Sequence, residues 1–176
     1  MENVNVWKAN FTNGLILGLI GVVYTLVLYF LDLYSNQPLG YLFLVIQIFI
    51  LIYLIKMYRD NYLHGMMTFG KGLGAGMVIC VYSAIISAIF AYILFKFIDT
   101  GLIDKQMALA EEKLLERGMS QSQIDAAMVI QKKIMIPEVM APISLVSSIF
   151  LGLITSLIAA AFTRKEGNPL IDNTQQ

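Results

Sequence analysis

Residues that could perform catalysis or bind a metal are few in this sequence. His64 is the single histidine and Cys80 the single cysteine among 176 residues. A zinc site needs several histidine or cysteine ligands, and a Ser-His-Asp triad needs a histidine beside its nucleophile. We therefore expect a non-enzymatic protein without a metal site and without a cofactor.

One glycine-rich segment, residues 70–76, invites comparison with a phosphate-binding loop. Its glycines lack the Walker spacing, no strand pattern precedes it, and it leads directly into an apolar run. We expect no nucleotide to bind there, and nucleic acid is not among the expected partners.

The densest group of polar side chains is Tyr58-Arg59-Asp60-Asn61, followed by His64. Arg59 and Asp60 could pair with each other, contact lipid headgroups or bind a protein partner. Anchoring at the membrane surface is the simplest of these interpretations, and we favour it over a binding site.

Composition indicates which kind of secondary structure carries these side chains. Hydrophobic residues make up 58% of the chain and charged residues 14%, and the mean hydropathy is +0.73. Because about 20 helical residues cross a hydrocarbon core of about 30 Å, a charge-free run of that length can span a bilayer. The sequence predicts an all-α integral membrane protein, a bundle of four transmembrane helices. Their expected bounds are about 11–33, 39–57, 70–98 and 139–163.

Residues 99–138, between the third and fourth spans, carry a different pattern. Apolar residues recur there at helical spacing, first at Ile103, Met107, Ala110 and Leu114 and then at Ile124, Ala127, Met128 and Ile134. Gly118 separates the two stripes, and Ser120 with Gln123 forms a capping box at the start of the second. We predict an extramembrane helical hairpin with both stripes facing inward, although the stripes could instead lie flat on the lipid surface. The tail, residues 166–176, lacks periodicity and is expected to be flexible.

Basic residues indicate how the chain is oriented, because lysine and arginine near membrane ends are retained in the cytoplasm. The first loop has none. Basic residues in the second loop and the C-terminal flank are Lys56, Arg59, Lys71, Arg164 and Lys165. We therefore expect both termini in the cytoplasm. The third loop also carries basic residues, but long loops translocate with less regard to charge.

Small residues repeat at intervals of four in three of the predicted spans. In lipid, helices associate by close backbone approach through such residues. The predicted helix-packing residues are Gly14 and Gly18 in the first span, Gly72, Gly76 and Ala84 in the third, and Ser148, Gly152 and Ser156 in the fourth. They could form one intramolecular bundle, which we favour, or serve a homo-oligomer or a membrane-protein partner.

The likeness to a known family begins at the polar cluster. Lys56-Met57-Tyr58-Arg59-Asp60, then Gly65 and Thr68-Phe69-Gly70-Lys71, resembles the bacterial four-span membrane family catalogued as domain of unknown function 4199. The likeness continues through Gly40-Tyr41, Gly118-x-Ser120 and Gly152-Leu153. The resemblance implies a bacterial inner-membrane protein with four spans and a helical third loop, and it implies no activity. The candidate functional surface is Tyr58, Arg59, Asp60, Gly65, Phe69 and Gly70.

Two functional hypotheses lead, ahead of a membrane-embedded enzyme, for which interfacial Asp, Tyr and Arg could support acid-base work but no nucleophile-base pair is apparent. The first is a non-enzymatic scaffold or accessory subunit, with membrane lipids and a second copy or another membrane protein as its partners. The alternative is an oligomeric transporter or channel for small solutes, with a path lined by Gln47, Ser83, Ser87 and Ser156. Gln47 is the strongly polar side chain expected at mid-depth, and a glutamine hydrogen bond between helices contributes about 1 kcal/mol or less, so we favour a packing role for it.

Overall fold

The computed structural model describes residues 5–166, which form six helices. Their bounds are α1 Val6–Phe30, α2 Gln37–Tyr62, α3 Phe69–Ile93 with a π-helical turn Leu94–Ile98, α4 Gly101–Glu116, α5 Gln121–Ile134 and α6 Pro137–Thr163. Helices α1, α2, α6 and α3 with its π-helical turn are long and apolar enough to cross a membrane. The predicted fold class is confirmed: the chain is an all-α, multi-pass membrane protein. Of the predicted tail, only Glu166 lies within the described residues.

The helices extend beyond the apolar segments from which they were predicted. Helix α1 begins at Val6 rather than near residue 11, because the side-chain oxygen of Asn5 caps it and accepts a 3.0 Å hydrogen bond from the Trp7 amide. Helix α2 continues to Tyr62 rather than ending near residue 57. Charged side chains at a membrane surface do not stop a helix whose backbone hydrogen bonds continue.

Helices α1 and α2 form a helical hairpin through a short loop in which Asp32 has a φ of 56°. The Tyr24 hydroxyl donates a 2.7 Å hydrogen bond to the Leu39 carbonyl. The Tyr24 ring stacks on Phe43 with 4.8 Å between ring centroids. These contacts join the two helices near the loop.

Helix α3 is the centre of the bundle. It packs along α1 in the same direction and along α6 in the opposite direction, whereas α2 packs mainly against α6. We call the end that holds the α2–α3 loop and the last turn of α6 the base, and the opposite end the hairpin end. The buried residues of α2 are Leu51, Leu54, Ile55 and Tyr58, all in its half nearer the base. Helix α2 is therefore held at the base and packs less closely at the hairpin end.

Helices α4 and α5 pack against each other as a hairpin that turns at Gly118, where φ is 72°. The capping box is present, with the Ser120 amide donating to the Gln123 side chain at 3.0 Å. Helix α4 is fastened to the first loop by Lys105 and Asp32 at 3.4 Å and by Gln106 and Ser35 at 2.7 Å.

Ile134, predicted to face inward in the second stripe, is exposed in the structure. Ile124 is buried, but Ile134 is 44% exposed. Ile134 follows Ile130 by four residues and therefore shares its face of α5, whereas ten residues separate it from Ile124 and turn it away from that face. The expectation that Ile134 points inward was wrong.

Candidate functional site

Arg59 joins the last turns of α2 and α6 at the base. Its guanidinium donates to the Asp60 carboxylate at 2.8 and 3.3 Å and to the Thr163 carbonyl at 3.2 Å. The last carbonyls of a helix lack intrahelical donors, and a cation is favourable at that end of the helix dipole. Thr163 is the last residue of α6, so Arg59 caps this helix with a charge-assisted hydrogen bond.

The loop that follows is tied to the same end of α6. The Met67 amide donates to the Lys165 carbonyl at 2.8 Å, and the Lys165 amide donates to the Met67 carbonyl at 2.9 Å. His64 and Gly65 have positive φ values of 54° and 78°, and the Gly65 amide donates to the Arg59 carbonyl at 3.2 Å. The left-handed conformation at Gly65 favours glycine because it has no Cβ.

The structure brings part of the candidate functional surface together. Tyr58 is buried and Arg59 is largely enclosed, whereas the Asp60 side chain is 54% exposed and can still accept hydrogen bonds from outside. Phe69 is half-buried at the start of α3. Gly70 is exposed, and a side chain there would meet only open space. The cluster thus fastens the base together and presents the Asp60 carboxylate.

Two buried polar residues in α1 were missed by sequence reasoning. Asn10 is fully buried and donates to the Val6 carbonyl at 3.0 Å, and Asn13 donates to the Asn10 side chain at 3.0 Å. The signal was present in the spacing, because Asn10 precedes Gly14 by four residues and so continues the predicted packing face. The sequence analysis named Gln47 instead, which is half-buried in α2.

The predicted packing residues lie at contacts between helices of one chain. A Cβ added at Gly76 would come within 2.8 Å of the Ser156 hydroxyl oxygen, and one at Gly152 within 2.7 Å of the Cys80 Cβ. On the other side of α3, Tyr82 and Ile86 lie over glycines of α1. The remaining predicted members are Gly14 beneath Tyr82, Gly18 beneath Ile86, Gly72 beside Ala160, Ala84 in the core and Ser148 at a cavity.

That cavity, of about 170 Å³, lies between α1, α3 and α6 in the half of the bundle nearer the hairpin end. Its hydroxyl-bearing lining residues are Thr25, Tyr34, Ser87, Ser144 and Ser148. Burial raises the pKa of the Tyr34 phenol, so this hydroxyl stays protonated and can donate a hydrogen bond. The cavity offers hydrogen bonds from uncharged groups.

The residues of the suggested transport path do not share this cavity. Ser87 lines it, whereas Ser156 is fully buried against α3 nearer the base. Gln47 is not among its lining residues. Within residues 5–166 no group of three histidine, cysteine, aspartate or glutamate side chains is placed to hold a metal ion.

Fold and site together define a small multi-pass membrane protein whose polar cluster closes one end of a helical bundle. The family model described as "Protein of unknown function (DUF4199)" matches residues 12–165. The chain therefore belongs to that family, as the motif around Arg59 indicated. No curated protein and no solved structure matches the chain.

Replacing Arg59 tests its role at the base. In Arg59→Gln the Thr163 carbonyl and the Asp60 carboxylate lose their charged donor, and we expect a loss of about 1–3 kcal/mol in the free energy of unfolding in detergent. Hydrogen exchange at residues 163–166 should become faster. Lys56→Gln, one turn earlier on α2, removes the same charge from an exposed side chain and should change stability by less than about 0.5 kcal/mol. Equal effects of the two variants would contradict the capping role.

Proposed function

We propose that the protein is a non-enzymatic scaffold or accessory subunit of the bacterial inner membrane that binds another membrane protein through its α4–α5 hairpin. The observation that carries the proposal is an apolar surface on α5, called the α5 face, formed by Val129, Ile130 and Ile134. These side chains are 59%, 61% and 44% exposed. They lie on α5, in the segment that connects α3 to α6, and they form a set of three on one helix, whereas the other exposed large apolar residues of this segment, Leu115 and Ile136, lie outside α5.

The attachment of the hairpin supports a docking role. Leu102 at the start of α4 is buried against Leu94 and Phe95, and Gln106 contacts Ser35 of the first loop at 2.7 Å, so the α5 face is presented from an ordered support. A surface fixed before binding loses less conformational entropy when a partner docks. Lys132 and Lys133 adjoin the face, which suits a partner with an apolar helix bordered by acidic residues.

The positions of the histidine and the cysteine also favour binding over catalysis. His64 is exposed in the α2–α3 loop, whereas the Cys80 sulfur lies 3.7 Å from the Ser156 hydroxyl between α3 and α6. A catalytic nucleophile requires a proton-accepting side chain within hydrogen-bond reach. These two side chains lie at different depths of the bundle.

Site-specific photocrosslinking tests the partner surface. With Ile130→p-benzoylphenylalanine in the full chain at native expression, we expect one discrete adduct with a second membrane protein. Gln121→p-benzoylphenylalanine is the matched control, since it is exposed on the same helix outside the α5 face, and it should give no such adduct. Adducts with lipid alone at position 130, or the same adducts at both positions, would contradict the proposal.

The proposed orientation places the base in the cytoplasm and the hairpin outside. Lysine and arginine near membrane ends are retained on the cytoplasmic side, and long loops translocate with less regard to their charge. The six basic residues of the hairpin end lie in or beside the long connection between α3 and α6, so the six of the base decide the orientation; these are Lys8, Lys56, Arg59, Lys71, Arg164 and Lys165. Because the chain crosses four times, both termini share the side of the base.

Labelling of single cysteines with an impermeant maleimide tests this orientation. In Cys80→Ser protein in intact cells without an outer barrier, Ser35→Cys and Gln121→Cys should react, and Asn61→Cys should react only after lysis. All three positions are exposed in the structure. Labelling of Asn61→Cys alone in intact cells would reverse the orientation.

A further inference from the structure

A second concave surface, the hairpin-end groove, lies beside the hydroxyl-lined cavity and shares Tyr34 with it. Its volume is about 470 Å³, and residues of α1, α2, α4 and α6 line it. The groove lies beside residues 37–50 of α2, none of which is fully buried, whereas the half of α2 nearer the base has four buried residues. Its size falls within the range of about 300–1,000 Å³ that is usual for sites of small organic ligands.

The lining of this groove is divided by polarity. Leu28, Leu44 and Leu151 come from three transmembrane helices and form an apolar wall. The first loop, the first turn of α2 and α4 supply polar groups at the mouth, which are Ser35, Asn36, Gln37, Gln106 and Lys113. A ligand that satisfies both parts must be amphipathic.

Lys113 supplies the charge at the mouth. Among residues 5–166 three ion pairs form, and Lys113 belongs to none of them, whereas the nearby Lys105 is paired with Asp32. The Lys113 side chain is exposed on α4. An ammonium group above an apolar wall favours a ligand whose polar end is anionic.

The groove also opens toward the surrounding lipid. Leu151 is 46% exposed and Tyr41, another lining residue, is 71% exposed, although both belong to transmembrane helices. Bilayer acyl chains therefore reach the wall without crossing water. This favours an occupant drawn from the bilayer over a water-soluble solute.

We infer that the hairpin-end groove binds one anionic glycerophospholipid of the bilayer. An acyl chain lies along the Leu28, Leu44 and Leu151 wall, and the phosphate accepts hydrogen bonds from Lys113 and Gln106. The bound lipid fills the space beside the first half of α2, beneath the α4–α5 hairpin. This site is separate from the α5 face and does not depend on the proposed protein partner.

Lipid titration followed by native mass spectrometry tests the site on the full chain. We expect one phosphatidylglycerol to bind more tightly than further copies and more tightly than phosphatidylcholine with the same acyl chains. Lys113→Gln should weaken the first phosphatidylglycerol about tenfold, the effect of losing roughly 1.4 kcal/mol. Lys132→Gln removes an equal charge from exposed α5 and should leave that affinity unchanged.

A second pair of variants tests the apolar wall. Leu151→Trp fills the groove and should weaken phosphatidylglycerol and phosphatidylcholine alike, whereas Leu157→Trp, on an exposed part of α6 outside the groove, should weaken neither. Unfolding temperatures of all variants establish that they remain folded. Equal affinities of Lys113→Gln, Leu151→Trp and the unchanged protein for phosphatidylglycerol would overturn the site. Tighter binding of oleate than of phosphatidylglycerol would overturn the assignment of a phospholipid as the ligand and indicate a fatty acid.

Discussion

The close contact between α3 and α6 is the constraint on which the rest of the structure depends. Lipid tails are as apolar as leucine, so helices in a bilayer gain little by hiding leucine from lipid and associate instead where their backbones can approach. Gly76 faces Ser156, and Gly152 faces Cys80, so no large side chain separates the two helices. Helix α3 is thereby fixed against α6 while its opposite side packs on α1.

The two candidate sites lie at the two ends of the bundle, where α2 and the loops, rather than the α3–α6 contact, determine the packing. At the base, α2 is held by Leu51, Leu54 and Ile55 together with the Arg59 hydrogen bond to α6. At the hairpin end α2 contacts α1 through Tyr24, but none of its residues 37–50 is fully buried, and the groove opens there beneath α4. The bundle is thus closed by polar contacts at one end and leaves concave and apolar surfaces at the other.

Much of this arrangement could be predicted, because its causes are periodic or compositional. Charge-free runs predicted four transmembrane helices, and the sequence around Arg59 indicated the family. Other features depend on which residues meet in space. Nothing local indicates that Arg59 donates to the carbonyl of Thr163, 104 residues later. Asn10 was missed because only small residues were considered on the packing face that it shares with Gly14, and Ile134 was misplaced because ten residues separate it from Ile124 and turn it to another face of α5.

The most direct test of the central contact compares two alanine variants in α3. A Cβ at Gly76 would lie 2.8 Å from the Ser156 hydroxyl oxygen, whereas one at Gly74 would meet nothing within 4 Å. Gly76→Ala should lower the free energy of unfolding in detergent by about 1–3 kcal/mol through overpacking. Gly74→Ala should leave it unchanged or raise it by about 0.4–1 kcal/mol, because alanine restricts the unfolded chain. Equal stabilities of the two variants would show that α3 and α6 do not meet at this surface.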